Sequence, residues 1–531
     1  MEIIVSTREE EYKLLLKRIN SFLEGYRQNL ALIGPDFSGK TYLIEQLLNA
    51  NFPSNVVFPI YIDLENLSFH EFIRVTYTSL LFHYLKSCQK PHHYNLDLLI
   101  LESQNHIPKT TDKIKGILTL LGTKEKIGFD SIMEVLNEFL SETNTKILFI
   151  LKSFTCLKDF PKKVLSELIK YIISQKNIMF ILTNNKNKKA EDLLSQELNM
   201  LFGSFEKIYV DNLSYRDAEN YLNGILGDKL SSTLRKFLIE LTGGFPFYLD
   251  IIMDKLAHDC KDIIDLDILT EKLTYILINQ KSCLYQVFSN KINSIRNLFG
   301  DDFLINPLLI LIACGYTRKK DLFTILKKDT NNLNTKLAKL LEINILNKNG
   351  SFYFIADKLF SFWISSVFKH EINFPLIFFD DKKRLLNKII KDRYEEFSTA
   401  AVKDSFERFI DLVQLFKDDT VKTGKKSISL PQIKRLKIVP AHSKDMKFVI
   451  GEARQYYLIL AFKEGEPEDT EILEFSNRCS YFRNKQPKKI FITLKRGDET
   501  AKVLAKEKRL HFWEKEDINL LLRLYNKPLI I

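Results

Sequence analysis

The chain has 531 residues, 45% hydrophobic and 27% charged, with 78 Lys and Arg against 67 Asp and Glu for a net charge of +11. This is a globular composition too long for one hydrophobic core, so three or four domains are expected, and the positive balance suits polyanionic partners without requiring one. No uninterrupted apolar run reaches the roughly eighteen residues of a membrane span, and the opening Met-Glu-Ile-Ile-Val-Ser-Thr-Arg lacks the basic start and long apolar stretch of a signal peptide, so no membrane contact and a cytoplasmic location are expected.

Apolar residues at Tyr12, Leu15, Leu16, Ile19 and Leu23 fall at helical spacing and predict a helix over Glu9 to Leu23. A strand at Leu30 to Ile33 then runs into Gly34, Pro35, Asp36, Phe37, Ser38, Gly39, Lys40, Thr41 and Tyr42, a Gly-x-x-x-x-Gly-Lys-Thr loop that opens a helix. Gly34 and Gly39 let consecutive backbone N–H groups point inward at a phosphate chain. Lys40 supplies a point charge for the β- and γ-phosphates, Thr41 offers its hydroxyl to Mg²⁺, and the helix turns its positive end to the anion. The motif therefore predicts ATP or ADP, with Mg²⁺, as ligand. Further strands are predicted at Val56 to Asp63, Lys146 to Leu151, Ile178 to Thr183 and Lys207 to Val210. Short, apolar strands alternating with helices indicate a parallel sheet covered on both faces. The stretch 86–128 reads as a polar, irregular insertion.

Beyond Asp211 helices take over, with Ser214 as a cap and Asp217 as its acidic partner. The run Leu241 to Leu249 contains a turn at Gly243-Gly244-Phe245-Pro246 between two helices, and the region reads as a helical lid. Three short helices (Pro307 to Ala313, Lys319 to Leu326, Asn332 to Leu341) precede apolar strands around the Asn349-Gly350 turn, the order of a winged helix. Its third helix carries two lysines and no arginine, which favours a spacer or oligomerisation surface over a reader of the DNA major groove. A helix at Ser405 to Phe416 and strands at Arg435 to Val439, Lys447 to Ile450, Tyr456 to Phe462 and Lys489 to Leu494 follow. Lys425, Lys426, Lys434, Arg435 and Lys437 suit either a phosphate backbone or a solvated loop. The six cysteines (Cys88, Cys156, Cys260, Cys283, Cys314, Cys479) stand singly, without disulfide or zinc spacing, and the nine histidines show no metal spacing.

The ordered series of Arg8-Glu9, the phosphate loop, Phe202-Gly203 before Ile208 to Asp211, the Gly243 to Pro246 turn and Tyr353 to Trp363 resembles the archaeal-type P-loop ATPases of the AAA+/STAND group. Such proteins pair an ATPase core with a winged helix and a C-terminal domain related to restriction endonucleases. The resemblance implies a multidomain α/β fold: a P-loop NTPase parallel sheet over 1–212, a helical lid over 213–295, a winged helix over 296–372, a linker over 373–400 and a nuclease-like α/β domain over 401–531. It also implies Pro246 near the adenine, and a homo-oligomer and DNA as partners to be tested.

The departures from that pattern bear on mechanism. Relatives end the third core strand with Asp-Glu for Mg²⁺ and the attacking water, whereas here Lys152 and Ser153 occupy those positions, and Ser204 stands where relatives place an arginine that reaches a neighbouring subunit's nucleotide. Losing groups that act by electrostatic placement lowers the rate by orders of magnitude. Asp63, ending the preceding strand, is the alternative catalytic acid; otherwise it is a strand-end turn residue or the cap of a helix over Ser68 to Leu81. Thr183-Asn184-Asn185 is a candidate polar sensor of the γ-phosphate. In the nuclease-like domain, Ala461 takes the place of the metal-binding Glu, Phe448 lies near that of the Asp, and only Lys463 and the helical Glu407 remain, so cleavage is not expected. The expected function is a nucleotide-dependent switch with weak or absent hydrolysis. The alternatives are an ATPase using Asp63 and a DNA-binding protein with a vestigial nucleotide site.

Overall fold

The structure, a computed structural model, describes residues 8–49, 56–90, 93–121, 127–185, 188–198, 205–259, 262–300, 302–327, 330–376, 378–424, 426–441, 443, 445–454, 456–482 and 487–529. The chain divides into two compact units, Met1–Gly224 with Gly244–Phe247, and Ile225–Gly243 with Tyr248–Ile531.

The first unit is built on a parallel sheet of β1 (Leu30–Gly34), β2 (Val57–Asp63), β3 (Lys146–Lys152), β4 (Ile178–Asn185) and β5 (Glu206–Tyr209), in the order β2-β3-β4-β1-β5. Its strands are apolar because both faces are covered. Leu15, Ile19 and Phe22 of the helix Glu9–Leu23 and Leu43, Ile44 and Leu47 of the helix Lys40–Asn49 pack on one face. The helices Phe69–Ser87, Phe129–Thr143 and Lys162–Ser174 pack on the other. The parallel register brings the carboxyl ends of the strands together, with Asp63 opposite Lys152, Lys152 opposite Thr183, and Gly34 opposite Asn185. Ligands of open α/β sheets bind outside this edge.

Over its described residues the stretch 86–128 is largely helical. It contains the helices Leu96–Ser103, capped by Asn95, and Pro108–Leu121, and their Leu99, Ile100 and Ile114 join the main core. Apolar side chains three and four apart carry the helix; the polar residues between them masked the period.

In the second unit the helices Ile305–Ala313, Lys319–Leu326 and Thr330–Glu342 are followed by a hairpin of β6 (Leu346–Asn349) and β7 (Phe352–Ile355). The region 373–400, expected as a linker, holds most of a 24-residue helix, Phe379–Val402, that buries Leu386, Ile390 and Phe397 and packs on the helix Leu266–Ile278. After the hairpin of β8 (Asp419–Thr423) and β9 (Lys426–Leu430) comes a second five-stranded sheet, β10 (Arg435–Pro440), β11 (Met446–Glu452), β12 (Tyr457–Lys463), β13 (Lys488–Thr493) and β14 (His511–Trp513), paired in chain order. The first three strands are antiparallel and the last pairings are parallel. The helices Ser405–Gln414 and Lys515–Leu524 cover one face through Phe409, Leu412 and Leu521, and Asp469–Ser480 and Glu499–Glu507 cover the other through Ile472, Phe475 and Ala505. The chain is thus a multidomain α/β protein. Among the described residues no helix is long and apolar enough to cross a membrane.

Candidate nucleotide site

The phosphate-loop geometry starts from a glycine that nothing else can replace. A Cβ on Gly34 would stand 1.9 Å from the Val210 carbonyl oxygen and 2.9 Å from Ser38 Oγ. The Val210 N–H holds that close approach by donating to the Ile33 carbonyl at 2.8 Å. Phe37, at φ 62°, and Gly39, at φ 95°, then curl the loop back into the helix Lys40–Asn49. Lys40 Nζ lies across the loop, donating to the carbonyls of Gly34 at 2.9 Å and Pro35 at 2.5 Å, with Asn185 Oδ1 at 3.4 Å. Burial lowers its pKa to about 8; Asp36 opposes the shift, while Lys152 and Arg8 add to it.

Arg8, only 5% exposed, braces the loop from behind. Its guanidinium donates to Glu11 at 3.0 Å, to the Ser38 carbonyl at 3.0 Å and to the Asp211 carbonyl. In the sequence it stood only as a member of a series; its reach to Ser38 had no local signal. Two residues past Asp211, the Leu213 N–H donates to the Gly244 carbonyl at 2.9 Å, and a Cβ on Gly244 would meet the Leu213 oxygen at 2.5 Å. Two residues on from Gly244, the buried Pro246 precedes Phe247. Phe247 stacks on Phe37 with ring centroids 4.5 Å apart and planes 16° from parallel.

The opposite wall is formed by the ends of β2 and β3. Lys152 Nζ donates to Asp63 Oδ2 at 2.6 Å, and both side chains remain about one-third exposed, at 36% and 37%. Asp63 Oδ1 also accepts the Glu65 N–H at 3.2 Å. Burial alone would raise the Asp63 pKa, but the hydrogen bonds from Lys152, Glu65 and Ser153 outweigh it and hold the group below its ordinary value. The same hydrogen bond raises Lys152 above its own. Asp63 does not cap the following helix: Ser68 does so, in a capping box with Glu71. Tyr61, on the same face of β2 as Asp63, lies within hydrogen-bonding reach of the Thr41 hydroxyl. Of the three polar residues ending β4, Asn185 faces Lys40, while Asn184 is nearly buried and accepts a hydrogen bond from Thr155 at 3.3 Å. Phe202, Gly203 and Ser204 lie outside the described residues.

These residues do not fit a Mg²⁺ ion. Thr41 offers one hydroxyl, and Asp63, the carboxylate that ends β2, already holds an ammonium, whereas Mg²⁺ bound with substrate phosphates takes one or two protein carboxylates to complete its near-octahedral oxygen set. Among the described residues no three His, Cys, Asp or Glu side chains are grouped to hold a metal.

A parallel sheet in the order β2-β3-β4-β1-β5, with a glycine-cornered loop leading from β1 into a helix, decides the fold. It is a P-loop NTPase fold. No protein-family model matches the sequence, and no curated protein matches it. Similar solved structures include a Walker-type ATPase of Pyrococcus abyssi, 17% identical, covering 67% of this chain and 95% of that one with a TM-score of 0.47. The ORC2 protein of Aeropyrum pernix in its ADPNP–ADP complexes is 12% identical, covering 73% and 94% with a TM-score of 0.38. The ORC1 protein of the same organism, in complex with DNA, is 13% identical, covering 68% and 92% with a TM-score of 0.35.

The positions that the sequence singles out in the second unit are occupied by packing. Phe448 and Ala461 face each other across β11 and β12 inside the apolar cluster with Ile472, Phe475 and Phe491. Lys463 is bonded to Glu471 at 2.6 Å, and Glu407 is exposed in the first turn of a helix that covers the opposite face of the sheet. On the helix Thr330–Glu342, Lys336 is paired with Asp302 at 2.5 Å and Lys339 donates to the Leu298 carbonyl at 2.7 Å. The β6–β7 turn is tied to β8: Asn349 and Lys422 exchange hydrogen bonds of 2.9 and 2.7 Å, and the Ser351 N–H donates to the Thr420 carbonyl at 2.9 Å. Lys434, Arg435 and Lys437 are exposed at the outer strand β10, where charge blocks edge-to-edge pairing.

Proposed function

We propose that this chain binds ATP or ADP on the loop Gly34 to Tyr42 and acts as a nucleotide-dependent switch with little or no hydrolysis. The observation that carries this reading is the Lys152–Asp63 ion pair beside an intact phosphate loop. A cation sits where phosphoryl transfer needs a carboxylate, and the alternative acid is engaged by that cation. Gly34 and Gly39 shape the loop, Lys40 contacts the β- and γ-phosphates, and Phe37, Phe247 and Pro246 border the base. Phe247 stacks on Phe37 of the loop, so occupancy of the loop acts on the segment Gly244–Phe247.

The nuclease-like sheet and the winged-helix order serve structural roles in this reading. Both lysines of the third helix are bound within the protein, and the turn of the hairpin is tied to β8, which disfavours a DNA-reading role for this module.

Titration of a fluorescent ATP analogue into the wild type and Lys40→Ala, with phosphate release measured on the same preparations, tests the reading. Binding by the wild type alone, with negligible release, is expected. No binding by either protein defeats it. Ordinary ATPase turnover abolished by Asp63→Asn would instead establish the active-ATPase alternative.

A further inference from the structure

Nucleotide sites of this geometry ordinarily neutralise the phosphate chain with a lysine and Mg²⁺ together. Here the oxygen set expected for the ion is broken, and a second lysine stands at the strand end instead. Lys152 pairs in register with Thr183 of β4, two residues before the Asn185 that faces Lys40 at 3.4 Å, so both ammonium groups stand at the carboxyl edge of the same sheet. Lys152 Nζ has three donors, and the hydrogen bond to Asp63 uses one of them. The Asp63–Lys152 register across β2 and β3 fixes the stem of that lysine at the sheet edge where the loop opens. A divalent ion that sought the Asp63 carboxylate would have to displace the Lys152 ammonium from it or sit against it.

We propose that Lys152 replaces Mg²⁺ in this site, so that the chain binds a nucleoside di- or triphosphate without a divalent cation. The inference rests on the nucleotide-binding reading above. It makes Asp63 a positioning residue for Lys152, and it makes Lys152 a gate against metal: when Lys152 is removed, the freed Asp63 carboxylate and the Thr41 hydroxyl become available to a hydrated ion.

The test is equilibrium titration of a methylanthraniloyl-ATP probe by fluorescence anisotropy, in excess MgCl₂ and in excess EDTA. The wild type is expected to bind with dissociation constants that agree within about threefold in the two buffers. Lys152→Ala is expected to bind more weakly in EDTA and to gain about tenfold or more on adding Mg²⁺, and Lys152→Ala with Asp63→Asn is expected to lose that gain. A wild type that loses more than about tenfold in EDTA overturns the proposal, as does a Lys152→Ala protein that remains indifferent to Mg²⁺. Absence of binding in both buffers overturns the nucleotide-binding reading itself. Lys40→Ala, silent in both buffers while the wild type binds, confirms that the probe reports on the loop.

Discussion

Lys463, one of two residues that the sequence offered for a nuclease-like metal site, has surroundings that assign it a measurable structural role. Its ammonium lies 2.6 Å from Glu471 Oε1, the two side chains are 7% and 6% exposed, and Ser443 Oγ stands at 3.4 Å. Glu471 Oε2 also accepts the Glu468 N–H at 3.1 Å, which ties the pair to the first turn of the helix Asp469–Ser480. Lys463→Met would leave a carboxylate buried with one oxygen unpaired, and breaking a buried pair in this way costs about 3–5 kcal/mol. Adding Glu471→Gln removes the stranded charge but keeps a carbonyl oxygen for the Glu468 N–H, so the double variant should recover to within about 1 kcal/mol of the wild type. In a chain of two units a single unfolding free energy is not defined, so the assay is differential scanning calorimetry of the second unit's transition. At about 2–3 °C per kcal/mol the single variant should melt roughly 6–15 °C lower. A single variant shifted by less than about 2 °C, or a double variant no better than the single, would show that Lys463 is not held by Glu471 as a buried pair and would reopen its role in metal chemistry.

Further consequences follow from the loop. Gly34→Ala should lower the first unit's melting transition by an amount equivalent to about 3 kcal/mol through the clash with Val210, whereas Gly39→Ala, with open space around its Cβ, should lose only about 1–2 kcal/mol for its positive φ; equal losses would sink that distinction. Because the free Lys40 has a pKa of about 8 and a bound phosphate keeps it protonated, the complex holds more protons than the free site, so affinity falls as pH rises through that value. Calorimetric titration in two buffers of different ionisation enthalpy should detect proton uptake near pH 8, and Lys40→Arg should abolish it; a wild type with no uptake refutes the assigned shift. Phe247→Ala should remove a stacked pair worth about 0.5–1.5 kcal/mol and weaken nucleotide affinity together with the first unit's stability, and a variant unchanged in both by titration and calorimetry argues against that stack.

The loop and the parallel sheet were legible because their signals are local: fixed residues at fixed spacing in one case, and short apolar runs in the other. The hairpin β8–β9 was equally local, with Val421 buried opposite Ile428 and Asp419 buried opposite Leu430, but its lysines drew a reading as a basic loop. In the helix Phe379–Val402 the buried positions Leu386, Ile390 and Phe397 are so diluted by charge that the stretch resembled a linker. What no local pattern contains is register. Asp63 was weighed as an acid and Lys152 as a lost acid, yet the bond between them depends on how β2 lies beside β3. The stack of Phe37 on Phe247 and the reach of Arg8 to Ser38 likewise join segments far apart in the chain.

The end of β3 and the interior of the second sheet differ in how readily they could accept an acid. Ala461 and Phe448 sit inside a close-packed apolar cluster, so an acid placed at either position would be buried without a partner and would destabilise the sheet before it held a metal. Lys152 is about one-third exposed at the end of β3, and an acid there would meet water rather than core. Lys152→Asp with Ser153→Glu is therefore expected to remain folded and to raise phosphate release above the wild type, whereas Ala461→Glu is expected to lower the melting transition with no gain of DNA cleavage. If the first pair of substitutions unfolds the protein while Ala461→Glu is tolerated, burial is not what separates the two sites, and the assignment of Lys152 to an open, electrostatically adjustable position is wrong.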